Sequence, residues 1–364
     1  MTNLEARPDE IECGPGGAVD SSDGAAGAPG GGAGGAGSAG AATGRVPVEI
    51  ITSRDVPLGG PRAMTVKRTL PQRQRSMIGA WCFVDHYGPD DVSVTGGMDV
   101  PSHPHTGLQT VSWLFEGAVT HHDSGDNHAV VRPGEVNLMT AGAGICHSEV
   151  TTQATTTLHG VQLWTALPDA DRHGPRRFDH YAPEPVLFDG GSALVFLGSL
   201  LGSTSPVTTF SPLVGAEIRL DAGASISIDV DPAHEHGLLV DAGDIDLEGV
   251  TVAPTELVYT GVGEKRLRIR NNGSDKARLL LIGGEPFEEE IIMWWNFIGR
   301  TYDEIETYRA EWQAEDDRFG VTEGYISHDP DGLPRLPAPE LPNARIRPRV
   351  NPAPIARPQK ELSR

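Results

Sequence analysis

Cysteine is nearly missing from this chain. Three thiols, Cys13, Cys82 and Cys146, lie far apart in 364 residues. So odd and sparse a set builds no disulfide framework and points to a reducing, cytoplasmic setting. Long apolar runs are missing too. Nothing approaches the ~18 consecutive apolar residues of a membrane helix, so no membrane partner is expected. The first residues, MTNLEARPDEIE, are acidic and lack an apolar centre, which argues against a secretory signal. Basic charge is in the minority, with 29 Lys and Arg against 50 Asp and Glu and a net charge of −21. Such a surface repels phosphate backbones and anionic lipid, so direct nucleic-acid contact is not expected. Nucleotide-binding glycine loops and the GxSxG elbow of serine hydrolases are absent as well.

Glycine and proline, at 45 and 29 residues, are abundant and concentrate towards the ends. Residues 1–44 form a Gly/Ala-rich tail that cannot bury enough apolar surface to order itself. Residues 316–364 end in a proline-rich segment expected to run extended, across a surface if it docks. Between the tails, short β-type runs such as TVSWLFEG, TLHGVQLWTAL, HGLLVDAG and ARLLLIGG alternate with Pro-Gly, Asp-Gly and Asn-Gly turns. That spacing predicts an all-β chain, and the second half repeats the style of the first. Two tandem antiparallel β-barrels follow, over 45–185 and 186–315. One helix is expected after Thr301, where Thr301 and Glu304 form a capping box and Ile305, Tyr308 and Trp312 supply an apolar stripe.

Two short pairs carry the chemistry: His103-Pro-His105 and His147-Ser-Glu149. On a strand, residues two apart share a face, so each pair aims two ligands to one side. Bringing the strands together gathers three imidazoles and one carboxylate, a set suited to a divalent first-row metal with open positions for dioxygen or substrate. Thiolates, the usual closure of structural zinc sites, are not among these ligands. Iron(II) is the expected ion, with Mn, Ni, Cu and Zn also compatible. Pro104 between the imidazoles predicts an edge or bulge, and Gly142 and Gly144 free the backbone before the second pair. Cys146 falls on the opposite face and reads as a buried, inert thiol.

The stretches AWCFVDHYGP (80–89), HPHTGLQTVSW (103–113), MTAGAGICHSE (139–149), LHGVQLW (158–164), Gly284-Glu-Pro286 and WWNFIGR (294–300) resemble the pirins, two-domain members of the cupin group. The resemblance covers about 45 to 315. It implies a bicupin of jelly-roll type with one iron in the first barrel, held by His103, His105, His147 and Glu149. The general cupin pattern places a Glu shortly after its HxH, but Gln109 and Thr110 stand there, so the acid falls to Glu149. It further implies a quercetin 2,3-dioxygenase-like enzyme acting on flavonol substrate and dioxygen; the residues themselves then offer Glu149 as catalytic base for the substrate hydroxyl. An alternative within the same family is a redox-sensing iron protein that binds a protein partner without catalysis.

Other histidines divide less sharply. His121 reads either as an outer partner of a ligating imidazole or as part of a solvated hairpin. His86 and His159 read as satisfied structural histidines. His234 and His236 imitate an HxH but find no partner downstream, and read as surface residues on a turn. Trp81, Trp113 and Trp164 belong to core or pocket wall, and their spacing does not separate the two.

Overall fold

The computed structural model describes residues 48–58, 64–328, 332–348 and 351–352. The Gly/Ala-rich tail, Cys13 and the last residues of the proline-rich tail lie outside them. The first unit is built from β2 (Arg54–Leu58), β3 (Met64–Leu70), β4 (Trp81–Asp91), β5 (Asp99–His105), β6 (Leu108–Glu116), β7 (Val119–Asp123), β8 (His128–Val131), β9 (Val136–Thr140), β10 (Ile145–Thr151), β11 (Thr157–Ala166) and β12 (Arg177–Tyr181). Strand β1 (Val48–Ile51) precedes them and pairs instead with Leu257–Thr260 of the second unit.

The all-β class and the two-unit plan are as expected, but hydrogen bonding closes neither unit into a continuous barrel. The first unit pairs a seven-stranded sheet, ordered β12-β9-β6-β11-β4-β3-β2, with a four-stranded sheet, ordered β5-β10-β7-β8. The second unit repeats this division into seven strands and four. A short helix not anticipated from sequence, α1 (Val92–Thr95), starts on the Asp91 side chain, which accepts from Ser93 N.

Alternation along β6 and β11 decides how the layers stack. Val111 and Trp113, with Val161 and Leu163, face outwards from the first unit. They join Phe196, Leu213, Leu239, Leu257 and Leu280 in one buried cluster between the two seven-stranded sheets. Trp113 stacks on Phe196 with centroids 4.6 Å apart and donates its indole N–H to Glu217 at 2.8 Å. Trp81 donates to the Gly283 carbonyl at 3.0 Å. Both indoles therefore belong to the inter-unit core. The intervening residues, Thr110, Ser112, Gln162 and Trp164, face inwards, towards the four-stranded sheet.

Helix α2 (Tyr302–Gln313) has the expected capping box, with Thr301 Oγ1 accepting from Glu304 N and the Glu304 carboxylate accepting from the Thr301 N–H. Its buried Ile305, Tyr308 and Trp312 pack with Trp294, Trp295, Phe297 and Cys146 against the outside of the four-stranded sheet. Beyond it the chain turns through Phe319 and then continues without a further helix or strand among the described residues. Leu336 N donates to the Ser102 carbonyl at 2.8 Å, covering the free edge of β5. An edge strand is the position that Pro104 tolerates, since it has no N–H to offer a neighbour.

Candidate metal centre

Strands β5 and β10 pair antiparallel with His103 directly across from His147. Between His147 and Glu149 the register slips, because β5 contributes one residue more than β10. On the other side β7 pairs with β10, setting Asp123 across from His147 and His121 across from Glu149. Three adjacent strands thus present three i,i+2 pairs on one face: His103/His105, His147/Glu149 and His121/Asp123. All six residues are buried.

One nitrogen from each of His103, His105 and His147 lies within 4.8 Å of the others. Their outer nitrogens are committed. His103 Nδ1 donates to the Pro101 carbonyl at 2.9 Å, and His105 Nδ1 to the Asn296 carbonyl at 3.2 Å. His147 Nδ1 lies 3.3 Å from His121 Nδ1, while His121 Nε2 lies 3.1 Å from the Asp123 carboxylate. A carboxylate only accepts, so His121 carries its proton on Nε2 and His147 must donate from Nδ1. All three inner Nε2 atoms then present lone pairs. His105 Nε2 and His147 Nε2 are 3.0 Å apart, and His103 Nε2 has no partner among the described residues. Facing lone pairs in a buried site repel unless a cation lies between them, so these residues fit a bound metal ion.

Burial holds all three imidazoles well below the usual histidine pKa. For His147 the neighbouring His103 and His105 push the same way. Neutral rings are the form that coordinates. At Asp123, burial raises the carboxyl pKa, but the hydrogen bonds it accepts from His121, Asn127 and the Gly125 N–H together leave it lowered.

Glu149 stands on the same face but does not join the three-imidazole group at that spacing. Its carboxylate groups with His147 and His121. The Ser112 hydroxyl lies 3.4 Å from Glu149 Oε1 and 3.0 Å from Gln162 Oε1. The structure therefore gathers the three predicted histidines tightly and sets the predicted acid beside them.

Several sequence readings change here. His121 is no solvated hairpin; it is 3 % exposed and touches His147. Its pairing with Asp123 repeats the HxH and HxE spacing, a signal present in the sequence but not weighed there. His236 is not a surface residue, since Glu235–Ala242 is an inner strand of the second seven-stranded sheet. The ring is 2 % exposed, and burial lowers its pKa to about 4. Cys146 does point away from the site, with Sγ 3.1 Å from Thr322 Oγ1. Trp164 separates from the other two indoles, standing edge-on to His105 with centroids 5.2 Å apart.

A second histidine cluster bridges the units. His86 Nε2 and His159 Nε2 lie 2.7 and 2.6 Å from Asp241 Oδ1. Arg278 donates to Asp241 Oδ2 at 2.7 Å and approaches His159 Nδ1 at 3.2 Å. Arg278 can only donate, so His159 accepts at Nδ1 and donates from Nε2. The short spacings are those of hydrogen bonds, and Arg278 already balances the Asp241 charge. This cluster is an inter-unit clasp, in keeping with structural histidines.

Residues 63–165 match the family model described as Pirin, and residues 215–320 match the Pirin C-terminal cupin domain. The chain belongs to the pirin family. A Pseudomonas aeruginosa protein that carries the name quercetin 2,3-dioxygenase as a provisional assignment is 41 % identical over 293 residues, covering 80 % of this chain and 90 % of its own. A pirin-like protein of Caulobacter vibrioides is 34 % identical over 260 residues, covering 68 % of this chain and 88 % of its own. The crystal structure of a quercetin 2,3-dioxygenase from Acinetobacter baumannii superposes with a TM-score of 0.77 at 39 % identity, covering 83 % of this chain and 97 % of the other. In this pirin the histidine and glutamate cluster capable of metal binding lies in the first cupin unit.

Proposed function

We propose that this pirin is a mononuclear iron(II) dioxygenase that opens flavonols of the quercetin type. One observation carries the reading: three neutral imidazoles, each fixed through Nδ1, converge their Nε2 lone pairs beside a buried carboxylate. His103, His105 and His147 would hold the ion with Glu149, and the N/O donor set also accepts Mn, Ni, Cu or Zn. The names of relatives similar over most of their length supply the substrate class.

The metal, when bound, supplies a Lewis acid and a one-electron centre for dioxygen. The chain's residues do the rest. Glu149 accepts the proton of the flavonol 3-hydroxyl, raising electron density on the ring to be opened. Ser112, shared between Glu149 and Gln162, steers the carboxylate. Full burial of the histidines keeps bulk water from the reacting carbon. One dioxygen enters, carbon monoxide leaves, and the ester product retains both oxygen atoms.

Iron-loaded protein mixed with quercetin in air should show metal-dependent loss of flavonol absorbance with carbon monoxide release. Glu149→Gln should lose more than about tenfold in turnover while retaining metal. Unchanged turnover in that variant removes Glu149 as base. A metal-loaded protein that releases no carbon monoxide overturns the enzymatic reading in favour of a redox-sensing protein.

A further inference from the structure

The inner face of the first unit's seven-stranded sheet is unusual for a core. Cross-strand register sets Gln162 beside Ser112 and Trp164 beside Thr110, Ser112 beside Asn137, and Trp164 beside Phe83. Three N–H donors on this face, Gln162 Nε2, Trp164 Nε1 and Asn137 Nδ2, are buried with no partner among the described residues. Those residues are 1 %, 0 % and 3 % exposed. A buried donor left unmet is costly, and native structures rarely keep one without a use.

Two of the donors adjoin the histidine and glutamate cluster, and the third reaches a half-exposed histidine. Trp164 stands edge-on to His105. Gln162 is one hydroxyl removed from Glu149. Asn137 holds its Oδ1 2.5 Å from Nδ1 of His180, whose side chain is 47 % exposed. Flat apolar groups flank them: Phe83 stacks on Trp164 at 4.1 Å and 12°, and Phe178 lies 5.0 Å from His121. Arg68, which lies over Phe83, is bound by Asp85 through two contacts of 2.7 and 2.8 Å. The face therefore offers neutral donors with aromatic rings beside them, chemistry that suits a planar ring system bearing acceptor oxygens better than a phosphate.

We propose that Gln162, Trp164 and Asn137 read the oxygen pattern of the substrate, donating to ring oxygens remote from the hydroxyl that Glu149 deprotonates. The assignment rests on the flavonol reading above and makes the preferred substrates polyhydroxylated flavonols. These are binding residues that discriminate between flavonols.

The test is anaerobic binding, without turnover, of quercetin and of 3-hydroxyflavone, which lacks the additional ring hydroxyls. Metal-loaded wild type should bind quercetin at least about tenfold more tightly, as expected of several added hydrogen bonds. Trp164→Phe and Asn137→Leu should each weaken quercetin by about three- to tenfold and leave 3-hydroxyflavone nearly unchanged, while Gln162→Met, which also frees Ser112 beside Glu149, should weaken quercetin by more than it weakens 3-hydroxyflavone. Metal content per chain checks that each variant is folded; if Trp164→Phe loses its metal, the other two decide. Variants that keep the wild-type ratio, or weaken both ligands equally, overturn the assignment while leaving the flavonol reading standing. Metal-loaded wild type that binds neither flavonol overturns both.

Discussion

Asp123 accepts from His121 Nε2, which leaves a lone pair on His121 Nδ1 and obliges His147 to donate from its own Nδ1. The inner nitrogen of His147 is thereby left with its lone pair, the form a metal ligand needs, by a carboxylate two side chains away. Such outer partners raise ligand basicity and hold the ring in place. Asp123→Asn keeps the acceptor that the turn uses at Gly125 N but removes the charge. Metal affinity, measured by competition with a chelator, should fall roughly 10- to 100-fold. An unchanged affinity would leave Asp123 only its turn. The four proposed ligands were legible in the sequence because i,i+2 spacing needs no tertiary knowledge. His121 was left between an outer partner and a solvated hairpin, and Asp123 was passed over, because only strand pairing brings β7 against β10.

Elements position these groups with different degrees of tolerance. On β11, a Cβ at Gly160 would lie 2.8 Å from the Trp113 carbonyl and 2.9 Å from the Tyr87 hydroxyl. Gly160→Ala should cost about 1–3 kcal/mol by overpacking, read as a lower urea midpoint. A midpoint within error of wild type would show that the strand yields. Helix α2 is different, since its contribution is local and covers the back of the four-stranded sheet. Thr301→Ala removes the cap and should cost about 1 kcal/mol with metal content unchanged; loss of metal would mean the helix holds the site directly. The helix could be read from sequence because a capping box and an apolar stripe are local signals. The division of each unit into seven and four strands could not, because register and sheet order depend on contacts far apart in the chain.

At the scale of the molecule, the two units share one apolar layer and one polar clasp. At Asp241, burial raises the carboxyl pKa, but hydrogen bonds from His159 and His86 overcome it and hold it far below the ordinary range. A depressed folded-state pKa means stability that is present above the unfolded value, near 3.9, and lost as pH falls towards the folded one. Acid unfolding below about pH 4 should therefore draw on this residue. Asp241→Asn should flatten stability against pH in that window, followed by tryptophan fluorescence; an unaltered acid limb would place the dependence elsewhere. The clasp was invisible in the sequence, since Asp241 is one of many acids and meets His86 and His159 only after the units dock. The metal centre tests the account most directly. Crystals of iron-loaded protein, measured by anomalous scattering at the iron edge, should show one peak bounded by Nε2 of His103, His105 and His147 and a Glu149 carboxylate oxygen. A peak ligated elsewhere, or those three nitrogens empty in iron-saturated protein, would contradict it.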